Sequence, residues 1–189
     1  MKRRYSNCED CLPSPEYSEP EYPILGLNTK KTRITQTSHE FIEAIDDSIL
    51  SFINRDGFIS QKKFIVKDKP TNLVLVFFGV IDDFLEPISN AHDKLSQIFN
   101  AEIIGISSNI SRNHHIFPLI NSSKIPKKFN VLDPVGGGVY PRDVVIIFDK
   151  TGRRRVEIPV KLYNRYLLDR PITDVLMDYL EELESESML

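Results

Sequence analysis

Two residues carry sulfur nucleophiles, Cys8 and Cys11, and no cysteine occurs from residue 12 to residue 189. Cys8-Glu9-Asp10-Cys11 has the spacing of a dithiol redox pair, or of half a zinc site. The thiolate is the reactive form, and the two acids between the sulfurs raise thiol pKa values rather than lower them. A second cysteine pair to complete a zinc site is missing. Cys8 and Cys11 therefore read as incidental thiols, kept as candidate redox residues. A second chemistry could come from Asp82, Asp83 and Glu86, whose carboxylate oxygens suit magnesium or calcium. No loop with known ligand spacing surrounds them, so solvated or self-paired acids are expected, with no metal and no cofactor. His114-His115 lacks cysteine or acidic neighbours at ligand spacing and reads as a surface or packing pair. Gly136-Gly137-Gly138 lacks the lysine and hydroxyl residue of a phosphate loop and reads as a turn. Arg153-Arg154-Arg155 on a strand would alternate between faces, as charge guarding a sheet edge does.

These residues need elements to hold them. The 189 residues suit one domain and a tail. An apolar share of 41% supports a core, and 24 basic against 27 acidic residues excludes a globally basic nucleic-acid binder. No apolar run approaches the roughly 20 residues of a membrane helix, and Met1-Lys2-Arg3-Arg4 has no hydrophobic stretch behind it. The expected setting is the cytoplasm or the nucleus, with no membrane contact and no nucleic acid. Residues 1–36 read as a disordered Pro/Ser/Glu-rich tail, with Pro13, Pro15, Pro20 and Pro23 breaking any period. Within it Ser14 is a candidate phosphorylation site, and Tyr22-Pro23-Ile24-Leu25 superficially resembles a Tyr-x-x-Φ sorting signal.

A folded domain is expected over residues 37–189. Thr37 to Glu40 fits a capping box, and Phe41, Ile42, Ile45, Ile49, Phe52 and Ile53 follow with helical spacing. The end of that stretch reads equally as one arm of a hairpin, since Phe52-Ile53 and Phe58-Ile59 flank Asp56-Gly57. Leu73 to Phe78 is apolar throughout, as a strand covered on both faces should be. A helix is expected from Pro87, with Ile88, Ala91, Leu95, Ile98 and Phe99 buried, then a parallel strand over Glu102 to Ser107. A short helix near Ser123 to Phe129 and a strand over Val144 to Phe148 come next. Arg153 to Val160 reads as an antiparallel partner strand. A final helix over Pro171 to Glu184 carries Ile172, Val175, Leu176, Tyr179, Leu180 and Leu183 on one stripe. This order implies an α/β sandwich of the thioredoxin type.

From Phe52 to Leu183 the chain resembles the peroxiredoxins of the AhpC/TSA family. The resemblance rests on Asp56-Gly57-Phe58-Ile59-Ser60, Val74 to Gly79, Ile104-Gly105-Ile106-Ser107, Phe117-Pro118-Leu119-Ile120 and Asp143 to Gly152, in order. It implies a three-layer, peroxiredoxin-type sandwich. Members carry Pro-x-x-x-Thr-x-x-Cys and an arginine from a later strand. On that pattern the proline falls on Gly79, the threonine on Asp83, the nucleophilic cysteine on Glu86 and the arginine on Arg142, with Pro87 retained. Peroxide reduction needs a sulfur that can carry the oxygen as sulfenic acid. A carboxylate cannot, so Glu86 replaces only the charge, and the resemblance implies a helix-start ion pair with Arg142. The expectation is a catalytically inactive, peroxiredoxin-like binding or regulatory module, with unidentified protein partners and a candidate homodimer. Two alternatives stand beside it: a residual thiol peroxidase using Cys8 and Cys11, and a carboxylate metal enzyme at Asp82, Asp83 and Glu86.

Overall fold

A computed structural model describes residues 49–53, 59–63, 71–110, 115–135, 137–162 and 165–186. All of these belong to one unit, Thr32–Leu189. Cys8, Cys11, Ser14, the tail over residues 1–36, the Thr37 capping box and His114 lie outside them.

The described strands are β1 (Ile49–Ile53), β2 (Ile59–Lys63), β3 (Asn72–Phe77), β4 (Ala101–Ser107), β5 (Leu119–Asn121), β6 (Val144–Phe148), β7 (Arg154–Pro159), β8 (Lys161–Leu162) and β9 (Arg165–Tyr166). The helices are α1 (Leu85–Ile98), α2 (Lys124–Lys128) and α3 (Ile172–Glu186). Among the described residues seven strands form one sheet in the order β2-β1-β5-β4-β3-β6-β7. β3 and β4 run parallel, with Val74 opposite Ile103, and α1 connects them. β6 lies antiparallel on the other side of β3, with Phe77 opposite Val144. The start of β6 is thereby fixed beside the end of β3.

Strand alternation sends neighbouring side chains to opposite faces. Val74, Val76, Phe78, Ile103, Val145 and Ile147 face α1 and α3. Leu75, Phe77, Ile104, Ile106, Val144, Ile146 and Phe148 face α2, where Phe129 meets the Phe77 and Phe148 rings. The result is the expected three-layer α/β sandwich. Gly105 sits where a Cβ would lie 2.4 Å from Leu119 Cδ2 and 3.1 Å from the Phe117 ring. Glycine here serves close packing between β4 and β5.

One open alternative is settled and two expectations are corrected. Residues 49–53 form a strand paired with β2 in the register Ile53 to Ile59, so the hairpin reading holds over the helical one. Helix α1 starts at Leu85, with Phe84 as its N-cap and Pro87 as its third residue. Proline is tolerated there because the first four helical N–H groups have no intrahelical acceptor. Ile98 is exposed rather than buried. It lies about 100° round the helix from the centre of the Leu85, Ile88 and Leu95 stripe.

Helix α3 follows its expected stripe, burying Ile172, Val175, Leu176, Leu180 and Leu183. Each such burial stabilises by about 1.5–3 kcal/mol. Acidic residues in a last helical turn cost about 0.3–1 kcal/mol apiece, so packing decides. Glu184 is also offset directly: its carboxylate accepts from Lys150 Nζ at 2.6 Å and from Asn72 Nδ2 at 2.9 Å. Glu186 pairs with Arg155 at 2.5 Å. Of the three consecutive arginines, Arg154 turns inward to Glu157 and Arg155 bridges Asp149 and Glu186.

Candidate functional site

The end of β3 runs into Gly79-Val80-Ile81-Asp82-Asp83, and α1 begins two residues later. The start of β6 and the β8–β9 hairpin converge on this corner. Gly79 N–H donates to Asp143 Oδ1 at 2.8 Å. A proline at 79 would have no such donor. A Cβ there would also come within 3.3 Å of the Pro141 carbonyl oxygen. The Asp143 carbonyl in turn accepts from Val160 N–H at 2.9 Å, which sets the entry to β8.

That entry aims Lys161 inward. Its side chain is 4% exposed, and its ammonium donates to Asp83 Oδ1. Tyr166, opposite Lys161 in the β8–β9 pairing, lays its ring 4.3 Å from the same ammonium. Its hydroxyl donates to Asp83 Oδ2 at 3.0 Å. Burial pushes the Asp83 carboxyl up, but the bonds from Lys161 and Tyr166 outweigh it and hold the group below its ordinary 3.8. Burial pulls the Lys161 amine down, and the Asp83 carboxylate more than restores it, so the ammonium persists above its ordinary 10.5.

Asp143 differs. Burial pushes its carboxyl above the ordinary 3.8 despite the Gly79 bond and the attraction to Lys161, and Asp83 and Asp133 repel it further. Its ionised form is thus disfavoured in the fold, and the penalty is complete above its folded pKa and absent at low pH. Asp143→Asn keeps an oxygen for the Gly79 N–H and removes the charge. Its melting temperature should rise by about 2 °C at pH 7 and match the parent at pH 3. A thermal scan at both pH values checks this, and an equal shift at pH 3 would exclude the charge as its cause.

The structure brings together three of the four residues singled out from the motif spacing. Gly79, Asp83 and Glu86 share the corner, and Arg142 does not. Two-residue alternation along β6 puts Arg142 with Val144 and Ile146 on the α2 face, and Asp143 with Val145 on the α1 face. Arg142 Nη2 donates to the Asn130 carbonyl at 3.2 Å and lies 3.6 Å from Glu157 Oε1. Glu157 is opposite Ile146 in the β6–β7 register, so it shares that face. The expected Glu86–Arg142 pair is therefore absent, and Glu86 is exposed in the first turn of α1 with no ion pair among the described residues.

Asp143, Lys161 and Tyr166 were not legible as site residues. The apolar run Val144 to Phe148 is covered on both faces and gives no hint of which preceding residue points where. Asp82 lies 3.7 Å from His115 Nε2, whose ring stacks on Phe117 at 5.6 Å. His115 is a packed residue. Among the described residues no cluster of three metal-ligating side chains occurs, and no helix is long and apolar enough to cross a membrane.

No protein-family model matches the chain, and no curated protein sequence matches it. Solved structures do. The N-terminally modified Plasmodium yoelii Prx1a, described as an artifactual octamer, is 16% identical with a TM-score of 0.54, over 74% of this chain and 88% of that one. The reduced 2-Cys peroxiredoxin of Plasmodium vivax is 16% identical with a TM-score of 0.53, over 75% and 93%. Mycobacterium bovis AhpC is 15% identical with a TM-score of 0.53, over 74% and 88%. At such identities the likeness speaks for the fold: the chain folds as a peroxiredoxin-like, thioredoxin-type α/β sandwich.

Proposed function

We propose that the protein uses a peroxiredoxin-like fold without thiol chemistry, as a protein-binding or regulatory module of the cytoplasm or nucleus. The observation that carries this is the composition of the corner before α1. Its groups are the carboxyls of Asp82, Asp83, Glu86 and Asp143, with one buried ammonium, Lys161, neutralised by Asp83, and the His115 imidazole beside Asp82. A thiolate gains from nearby cations and loses beside carboxylates. A peroxide-reducing centre also needs a sulfur to receive the oxygen, and no cysteine follows Cys11. Gly79 supports the same reading, because its N–H is committed to Asp143.

The test is peroxide consumption by the purified full-length protein with a thiol reductant. The expected result is no turnover above the reductant alone. Turnover abolished by Cys8→Ala or Cys11→Ala would replace this reading with a residual peroxidase. A second measurement probes the corner itself. In Glu86→Cys the new thiol should react with hydrogen peroxide within about threefold of free cysteine, since the helix start favours a thiolate and the neighbouring acids oppose it. A hundredfold enhancement would mean that the corner still activates sulfur.

A further inference from the structure

Four of the nine exposed large apolar side chains among the described residues belong to segments that meet at the corner before α1: Val80, Ile81, Ile116 and Tyr166. Val80 is 75% exposed and the others are at least half exposed. They come from three separate segments, yet Asp82 and Asp83 tie them together. Val80 and Ile81 immediately precede these acids. Ile116 follows His115, which reaches Asp82. Tyr166 bonds Asp83. Isolated exposed apolar residues need no explanation, but a gathered set rimmed by polar groups marks an interaction surface.

The charges say what kind of partner fits. Asp82 is half exposed, and Glu86 is exposed with no ion pair among the described residues. Among the described residues the basic groups of this corner are Lys161, cancelled by Asp83, and the His115 imidazole, 3.7 Å from Asp82; Arg165, opposite Leu162, alternates to the other face of the hairpin. The surface beside Val80 and Ile81 is therefore, among the described residues, apolar and acidic. Arginine is enriched at the centres of protein interfaces, and charge complementarity selects between partners of similar shape.

We propose that this corner docks a protein segment carrying arginine or lysine between apolar side chains. The basic groups would meet Asp82 and Glu86, and the apolar groups would cover Val80, Ile81 and Ile116. The proposal rests on the non-catalytic reading above and names the partner class for it.

The experiment is selection of a phage-displayed random peptide library on the full-length protein, followed by fluorescence anisotropy of an enriched peptide. Enriched sequences should interleave basic and apolar residues. Binding should weaken about 10-fold in the Asp82→Lys/Glu86→Lys double variant and about 10-fold in Ile81→Ser, and should fall as salt rises. Ile81 is exposed, so Ile81→Ser should melt with the parent; the double variant loses the Asp82–His115 contact, so binding is read well below the melting transition of each variant. No enrichment, acidic or purely apolar sequences, or binding indifferent to both variants would overturn the proposal. So would sedimentation showing a dimer that Ile81→Ser dissociates, because a second copy would then be the occupant. The peroxide assay is independent of this result. Turnover there refutes the non-catalytic reading, whereas absent turnover with no enriched peptide refutes only the docking surface.

Discussion

Replacing Asp83 with Asn should destabilise the protein by about 2 kcal/mol, less than the 3–5 kcal/mol typical of breaking a fully buried pair. The asymmetry of the pair sets this size. Lys161 is 4% exposed and cannot rehydrate in place, whereas the Asp83 side chain is 51% exposed and shares its charge with solvent. After the substitution the ammonium keeps the Tyr166 ring and the neighbouring Asp143, which limits the loss. The second replacement, Lys161→Met, should recover most of it, because an apolar side chain of similar length has no charge to strand. Urea unfolding of the parent, both single variants and the double variant closes the cycle. A coupling energy near zero would show that the pair contributes nothing. The pH dependence follows from the directions of shift. Asp83 titrates below 3.8 in the fold, so its contribution is complete above that pH and is lost as pH falls through the folded value. Lys161 is shifted up, so its contribution is complete below 10.5 and is lost as pH rises past the folded value.

The other large effect belongs to Gly105→Ala. A methyl group there would overlap Leu119 Cδ2 and crowd the Phe117 and Phe78 rings, all of them buried. Adding a methylene-sized group to a filled core typically costs 1–3 kcal/mol, and this site belongs near the top of that range because β4 and β5 are hydrogen-bonded and cannot separate cheaply. The expected loss is about 3 kcal/mol, or about 6–12 °C in melting temperature for a domain of this size. Leu119→Ala in the same chain should restore part of it by opening room, despite its own cavity cost. If Gly105→Ala melted with the parent, the packing of β5 against β4 would have to be looser than described.

Much of this framework is legible in the sequence because burial on both faces leaves long apolar runs. Leu73 to Phe78, Ile103 to Ile106 and Val144 to Phe148 could hardly be anything but central strands. Helix α3 declares itself by five apolar residues on one stripe. The segment at 49–53 does not, because Ile49, Phe52 and Ile53 satisfy a helical spacing as well as a strand. Only the partners β2 and β5 decide between them. β5 is three residues long and β8 and β9 are two each, too short to carry a period. The corner before α1 was half legible. Residues 79, 83 and 86 follow directly from the end of β3, so counting along the chain finds them. Asp143, Lys161 and Tyr166 arrive from distant segments, and their placement depends on strand pairing rather than on local order.

The contrast between Arg142 and Asp143 has a wider consequence. Two adjacent residues of opposite sign stand at the mouth of one strand, and the pleat alone decides which sign reaches which layer. Transposing them would deliver a guanidinium to the Gly79 corner and a carboxylate beside Asn130, with the apolar run of β6 untouched. The sign of charge that reaches the Gly79 corner thus hangs on the order of two neighbouring residues.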